Sequence, residues 1–300
     1  MTDLRTTYMG IELKNPLIVG ACALTGKIET IQKIEGFGAG AVVIKSLFEE
    51  QIQLERLMFD EDLEKYDNKY AEMLSFFPRL EHAGPEQHLQ YVRKVCQSVH
   101  IPVFASLNAI NYETWLEYAK LLTETGVQGL ELNFYASPCD FTISATTIEE
   151  EQIATIAEIR KAVTIPISIK LSPFYSNPLH VIHLIDAVGV NGFVLFNRFF
   201  QPAIDIQKEI HVSPFNLSRE EDSRLPLRFT GLLHEKIKAD ICTSTGILDG
   251  NQVVQMILSG ATTVQVVSTL YRNGIPHIGK ILADVQTWME DKGYKQLADF

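Results

Sequence analysis

A closed (β/α)8 TIM barrel is the fold class this sequence predicts, and three observations carry it. Short β-branched runs alternate with longer helical patterns from end to end, as repeated βα units around a parallel sheet require. Apolar runs such as Ala41 to Ile44 are nearly continuous, which suits strands buried on both faces and favours closure over an open antiparallel sheet. Several strands also end in a polar side chain that opens directly into a loop, the way a barrel displays ligand-reading groups at its mouth. An open doubly wound sheet is the alternative.

Taken in order, Thr6 to Leu17 places Met9-Gly10-Ile11 between extended stretches, and a hairpin plugging the barrel floor is expected there. Strands follow at 17–21, 41–46, 102–107, 129–133, 166–171, 192–196, 240–244 and 263–267. Helical patterns lie at 27–36, 85–99, 112–125, 149–163, 178–188, 226–238, 250–259 and 276–292. Gly126 and Gly189 sit where helices should end, because glycine enters the left-handed conformation without a Cβ penalty. Two connections exceed what a link needs, 47–83 after the second strand and 198–225 after the sixth. Loops of this length in compact domains are usually lids or binding loops on the active face, with an oligomer contact or a helical insertion as the other reading.

Four strand ends carry the expected chemistry. Val42-Val43-Ile44-Lys45-Ser46, Leu130-Glu131-Leu132-Asn133, Ile167-Ser168-Ile169-Lys170 and Val194-Leu195-Phe196-Asn197 bring two lysines and two asparagines to one mouth. That set suits an anionic, amide-rich, planar ligand. Thr243-Ser244-Thr245-Gly246 and Val266-Val267-Ser268-Thr269 end the last two strands, where barrels often cradle a phosphate with backbone N–H groups; simple helix caps are the other explanation.

Composition sets the limits. With 300 residues, 46% hydrophobic and 21% charged, the chain is long enough for one large domain over 1–300 and unsuited to disorder. A net charge of -11 disfavours nucleic acid and anionic membranes, so any phosphate must be held locally. Cys22, Cys96, Cys139 and Cys242 form no C-x-x-C pair, which reads as reduced thiols in a cytoplasmic protein. No apolar run approaches the roughly 20 residues of a membrane span, and the N-terminus lacks a secretory h-region. Gly274 to Lys280 fits G-x-x-x-x-G-K, but Ile281 replaces the required Ser or Thr. Gly36-Phe37-Gly38-Ala39-Gly40 follows a helix and precedes a strand, the reverse of a dinucleotide fingerprint. His180 and His183 share a helix face without evident further ligands, and no metal site is expected.

In sequence order, Asn15-Pro16-Leu17, Val43-Ile44-Lys45-Ser46, Leu130-Glu131-Leu132-Asn133, Ile169-Lys170-Leu171-Ser172-Pro173-Phe174, Leu195-Phe196-Asn197-Arg198-Phe199 and Gly260 to Val266 resemble the dihydroorotate dehydrogenase superfamily. The resemblance implies an oxidoreductase that binds flavin mononucleotide (FMN) at the barrel mouth and passes a hydride between flavin and a cyclic pyrimidine-type substrate, dihydroorotate and orotate being the nearest pair. It implies Ala21 and Cys22 flanking the ring, Lys45 and Ser46 bordering ring and substrate, Asn108 and Asn133 on ring edges, and Lys170 facing the flavin pyrimidine. Thr245, Gly246, Ser268 and Thr269 would hold the phosphate. Asn133, Asn197, Arg198 and Lys45 would read the substrate.

Departures from the family pattern concern the base and the substrate loop. Family enzymes place a Cys or Ser base shortly after the asparagine matching Asn133. Direct spacing delivers Ala136, which cannot accept a proton, whereas one inserted residue aligns Ser137-Pro138 and makes Ser137 the expected base, with Cys139 where an amide is usual. The asparagine-rich substrate loop is not visible around Ser75-Phe76-Phe77-Pro78, and Arg198 stands where a small hydroxyl residue is usual. Two rivals therefore remain at this stage: an FMN protein acting on another substrate, and a flavin-free lyase in which Lys170 forms a Schiff base. A small-molecule substrate is the expected partner, with a homodimer and a redox partner subunit left open.

Overall fold

A hairpin opens the chain, β1 (Thr6–Tyr8) paired antiparallel with β2 (Ile11–Leu13). Its turn residues Met9 and Gly10 both have positive φ, 55° and 78°, as a two-residue type I′ hairpin turn requires. Eight parallel strands then close a ring in the order β3 (Leu17–Val19), β4 (Ala41–Val43), β6 (Val103–Asn108), β7 (Gly129–Phe134), β8 (Ile167–Leu171), β9 (Gly192–Leu195), β12 (Asp240–Ser244) and β13 (Thr263–Val266), and β13 pairs back onto β3. Between β4 and β6, β5 (Leu47–Phe48) adds a short parallel pairing to the mouth end of β6. The computed structural model describes residues 2–48, 85–109, 111–134, 141–198, 203–212 and 217–300.

Helices pack outside the ring: α1 (Ile28–Gly36), α2 (Pro85–Ser98), α3 (Tyr112–Thr123), α4 (Ala145–Ala162), α5 (Pro178–Val188), α6 (Arg224–Leu233), α7 (Gly250–Leu258), a short α8 (Ser268–Asn273) and α9 (His277–Lys292). All eight expected helices are present, and their ends follow local chemistry. Helix α4 begins four residues before its apolar pattern does, because the Ser144 hydroxyl accepts from the Thr147 N–H and caps it. Asn177 and Pro178 start α5, and Gly189 ends it at φ 90°. Helix α6 stops at Leu233, short of the expected 238, where the chain turns through Glu235 at φ 58°. The connection after β9, read from sequence as a loop, contains an antiparallel hairpin of β10 (Ala203–Asp205) and β11 (Ile210–Val212). Asp205 organises its turn by accepting from the Gln207 and Lys208 N–H groups.

Strand alternation separates two cores. Leu17, Val42, Leu130, Ile169, Phe193 and Val264 face the helices, while Ile18, Val43, Phe104, Val194 and Cys242 fill the lumen with Tyr8 and Met9 from the hairpin. The floor is sealed by shape. A Cβ on Gly192 would lie 2.9 Å from Tyr8 Oη, and one on Gly129 would lie 3.0 Å from Phe104 and 3.2 Å from Met9, so the lumen has room for the plug only because both positions are glycine. Burial of a side chain such as Met9 contributes about 1.5–3 kcal/mol. The Asp240 carboxylate also accepts from the Met9 N–H at 2.6 Å, tying the hairpin to β12.

Candidate active site

Above this apolar floor the same faces of the strands turn polar. On β7 one face carries Gly129, Glu131 and Asn133, and the register sets Glu131 beside Ser168 and Asn133 beside Lys170 on β8. Lys170 is 8% exposed and Glu131 1%, and their charged groups meet at 3.3 Å. Gln265 on β13, 3% exposed, completes the cluster: its Oε1 accepts from Lys170 Nζ at 3.0 Å, and its Nε2 donates to the second Glu131 oxygen. A buried ion pair needs further hydrogen bonds to offset its desolvation, and here the Gln265 amide supplies one to each partner.

A second cluster joins β4, β6 and β7. Ser46 Oγ and Ser106 Oγ lie 2.7 Å apart, and Asn133 Nδ2 donates to Ser106 Oγ at 2.8 Å and more weakly to the Leu107 carbonyl. Both bonds use the amide nitrogen, so the carbonyl oxygen is what Asn133 offers a ligand. Lys45 runs past Gly26, close to His88 in the first turn of α2. Burial first, and the Lys45 charge second, hold the His88 imidazole down to about 4, so it is neutral at pH 7. Its Nε2 has no hydrogen-bond partner among the described residues.

The opposite side of the mouth holds a cavity of about 380 Å³ between the segment after β3, β8 and the ends of β9, β12 and β13. Its lining includes Ala21, Cys22, Lys170, Asn197, Arg198, Thr245, Gly246 and Ser268, all expected from sequence. Thr245 and Gly246 take φ values of 81° and 77°, and a Cβ on Gly246 would lie 2.3 Å from Ser223 N, so position 246 admits only glycine. Ser268 Oγ accepts from the Ser218 N–H, Thr245 Oγ1 donates to the Phe196 carbonyl, and Arg198 approaches Asp222 at 3.7 Å. Burial pushes the Cys22 thiol upward, and burial followed by the neighbouring Cys22 raises Tyr271 to about 12, so both line the cavity uncharged at neutral pH.

Lys45, Ser46, Asn108 and Asn133 therefore stand on the β4–β7 side, and the others on the β8–β13 side, with Lys170 at the cavity wall. Thr269 departs from expectation. Its side chain is buried and donates to the Leu248 carbonyl at 2.7 Å, so its hydroxyl is engaged inside the protein and only its backbone remains for a phosphate. Ser137, Ala136, Cys139 and the stretch from Ser75 to Pro78 lie outside the described residues. The sequence reading missed Glu131, Gln265 and Ser106. A usable signal existed for one of them: Gln265 is a lone amide between buried valines, a pattern that marks a lumen-facing polar group.

These residues fit FMN on the chemistry of the donor set. The Lys170 cation and the positive-φ turn at Thr245 and Gly246, with the Ser268 hydroxyl, line the same cavity.

The family model for dihydroorotate dehydrogenase matches residues 3–289. The dihydroorotate dehydrogenase B (NAD(+)) catalytic subunit of Thermoplasma acidophilum is 24% identical over 304 residues, covering 100% of this chain and 98% of the relative. That of Methanocaldococcus jannaschii is 24% identical over 300 residues, covering 96% and 94%. Dihydroorotate dehydrogenase A (fumarate) of Lactobacillus helveticus is 23% identical over 322 residues, covering 100% and 97%. Matched over nearly its whole length, with a closed parallel barrel and polar strand ends at the mouth, this chain belongs to the dihydroorotate dehydrogenase family.

Proposed function

We propose that this chain is an FMN-dependent oxidoreductase acting on a CH–CH donor, with dihydroorotate and orotate as its substrate pair. The observation that carries the reading is one cavity lined by both Lys170 and the Thr245–Gly246 turn, in a chain the family model spans from 3 to 289. When bound, FMN supplies the two-electron redox chemistry. Lys170 would supply positive charge that favours an anionic reduced flavin, and Ala21, Cys22 and Asn108 would hold its ring. Thr245, Gly246, Ser268 and the Thr269 backbone would hold the phosphate. Lys45, Ser46, Asn133 and Asn197 orient the substrate, and Ser137 removes its proton. Family membership sets aside the Schiff-base lyase, and the Lys170 ammonium is already donating to two acceptors.

Two of the relatives are named catalytic subunits, which supports a redox partner subunit here as well; a homodimer is the other assembly compatible with this reading. No helix among the described residues is long and apolar enough to cross a membrane, which accords with a cytoplasmic location. Arg198 favours a second reading, a modified substrate. It lines the cavity beside Asn197 where the family has a small hydroxyl and, with Asp222 at 3.7 Å from its guanidinium, brings further hydrogen-bonding groups that would suit a ring bearing an added anionic substituent.

Anaerobic mixing with dihydroorotate tests both. The purified protein should be yellow and its flavin should bleach, and Ser137→Ala should abolish bleaching while leaving FMN content unchanged. A colourless protein that takes up no FMN sinks the flavin reading; a yellow protein that dihydroorotate leaves oxidised points to the modified substrate.

A further inference from the structure

Lys170 is not a free cation. Its ammonium, the Glu131 carboxylate and the Gln265 amide form a closed hydrogen-bonded ring across β8, β7 and β13. Only one donor pattern satisfies such a ring. An ammonium has donors and no acceptor, so both atoms facing Nζ must be acceptors. The single oxygen of Gln265 is then used by Lys170, and its nitrogen must find an acceptor on residue 131. Two acceptors and no donor are what a carboxylate presents. A glutamine at 131 would set donor against donor in either orientation, so the ring specifies Glu131 chemically.

Resting on the FMN reading, we propose that Glu131 and Gln265 are positioning residues that hold the Lys170 ammonium at one point and offset part of its charge, so that the pair rather than the lysine alone sets the reduction potential of the bound flavin. The charges meet at 3.3 Å in a site almost closed to solvent, where water screens them weakly. A lone Lys170 would favour the anionic reduced flavin more strongly than a paired one does. Removal of the Glu131 charge therefore raises the potential, and removal of the Lys170 charge lowers it. A purely structural role would not give shifts of opposite sign.

The test uses the FMN-loaded protein and its Glu131→Gln, Lys170→Gln and double variants. Dye-equilibrium titration should show Glu131→Gln raising the two-electron equilibrium constant at least tenfold, about 30 mV, Lys170→Gln lowering it by a similar factor, and the double variant returning close to the parent. Melting of the apoproteins gives the second readout: each single variant should melt lower, and the double should recover most of the loss, since it buries no unpaired charge. An unchanged or lowered potential in Glu131→Gln overturns the proposal, as does additive loss in the double variant. Should Glu131→Gln not fold, a folded, FMN-binding double variant supports the ring and an unfolded one overturns it. A parent protein that binds no FMN removes the flavin reading and the potential-setting role with it, whereas lost coupling with normal FMN binding removes the ring alone.

Discussion

At the floor of the barrel Gly129 and Gly192 leave space for Tyr8 and Met9, whereas at the next lumen-facing position along β7 the residue is Glu131, held against Lys170 from β8. One set of strands thus makes an apolar plug at one end and a charged, hydrogen-bonded site at the other. The difference lies in what fills the lumen. Shape complementarity among apolar groups tolerates change in small steps, while a buried polar network fails when one member is lost. Substitutions at the floor should move stability modestly and leave the chemistry alone; substitutions at the mouth should move both.

Lys170→Ala should break this contrast most sharply. Viewed as a strand-end lysine at an open mouth, its loss would affect flavin chemistry and spare the fold. Buried beside Glu131, it instead leaves a carboxylate without its cation, and a loss of about 3–5 kcal/mol is expected from breaking such a pair. Denaturant unfolding of the apoprotein measures it, and a loss below about 1 kcal/mol would show that water reaches Glu131 after all.

Acid should separate the two ends next. His88 at the mouth has its pKa held down to about 4 by burial and then by Lys45, so its contribution is present above its unfolded value and lost as pH falls through 4. The interval from about 6.5 corresponds to a loss on the order of 3 kcal/mol. Asp240 at the floor is shifted the other way: burial raises its carboxyl, so its contribution is present at low pH and is lost as pH rises through the folded value. Urea unfolding at pH 7 and pH 4.5 should show the loss, and His88→Gln should flatten it. An unchanged acid slope in His88→Gln would place the titrating group elsewhere.

How legible these features were follows the range of the interactions. The strands that carry Asn133 and Lys170 were readable because Leu130 and Leu132, and Ile167 and Ile169, alternate with other residues at the period of a strand, a local property of the sequence. The Met9-Gly10 turn and the Gly189 helix end were readable because their backbone geometry is a local property. The ring around Lys170 was not. Its partners lie 39 and 95 residues away, and only the barrel register sets them on one lumen face. The β10–β11 hairpin was missed because three-residue strands leave too short an alternation to detect. Thr269 looked like a phosphate ligand because a hydroxyl at a strand end does not reveal which way it points.

The smallest expected effect tests the floor itself. Tyr8 packs edge-on against Phe104, with ring centroids 6.1 Å apart, and is almost wholly buried, yet its Oη has no hydrogen-bond partner among the described residues. Ser168 Oγ on β8 lies near enough to the phenol to act on its ionisation, but its proton goes to the Leu130 carbonyl at 3.2 Å, which leaves only its lone pairs to Tyr8, outside hydrogen-bond geometry. A buried hydroxyl without a partner carries a desolvation cost of about 1–3 kcal/mol, against which Tyr8→Phe sacrifices only the packing of one oxygen. Stability should therefore stay level or rise by up to about 1 kcal/mol, with FMN content and flavin reduction as in the parent protein. Burial pushes the Tyr8 phenol well above its ordinary range, so the result should not vary across neutral pH. Thermal and urea unfolding of the two proteins side by side settle the point. A loss above about 1 kcal/mol would mean that Tyr8 and Ser168 hydrogen-bond in solution, and the floor would then be a polar lock of the same kind as the mouth, with the contrast between the two ends reduced to one of charge.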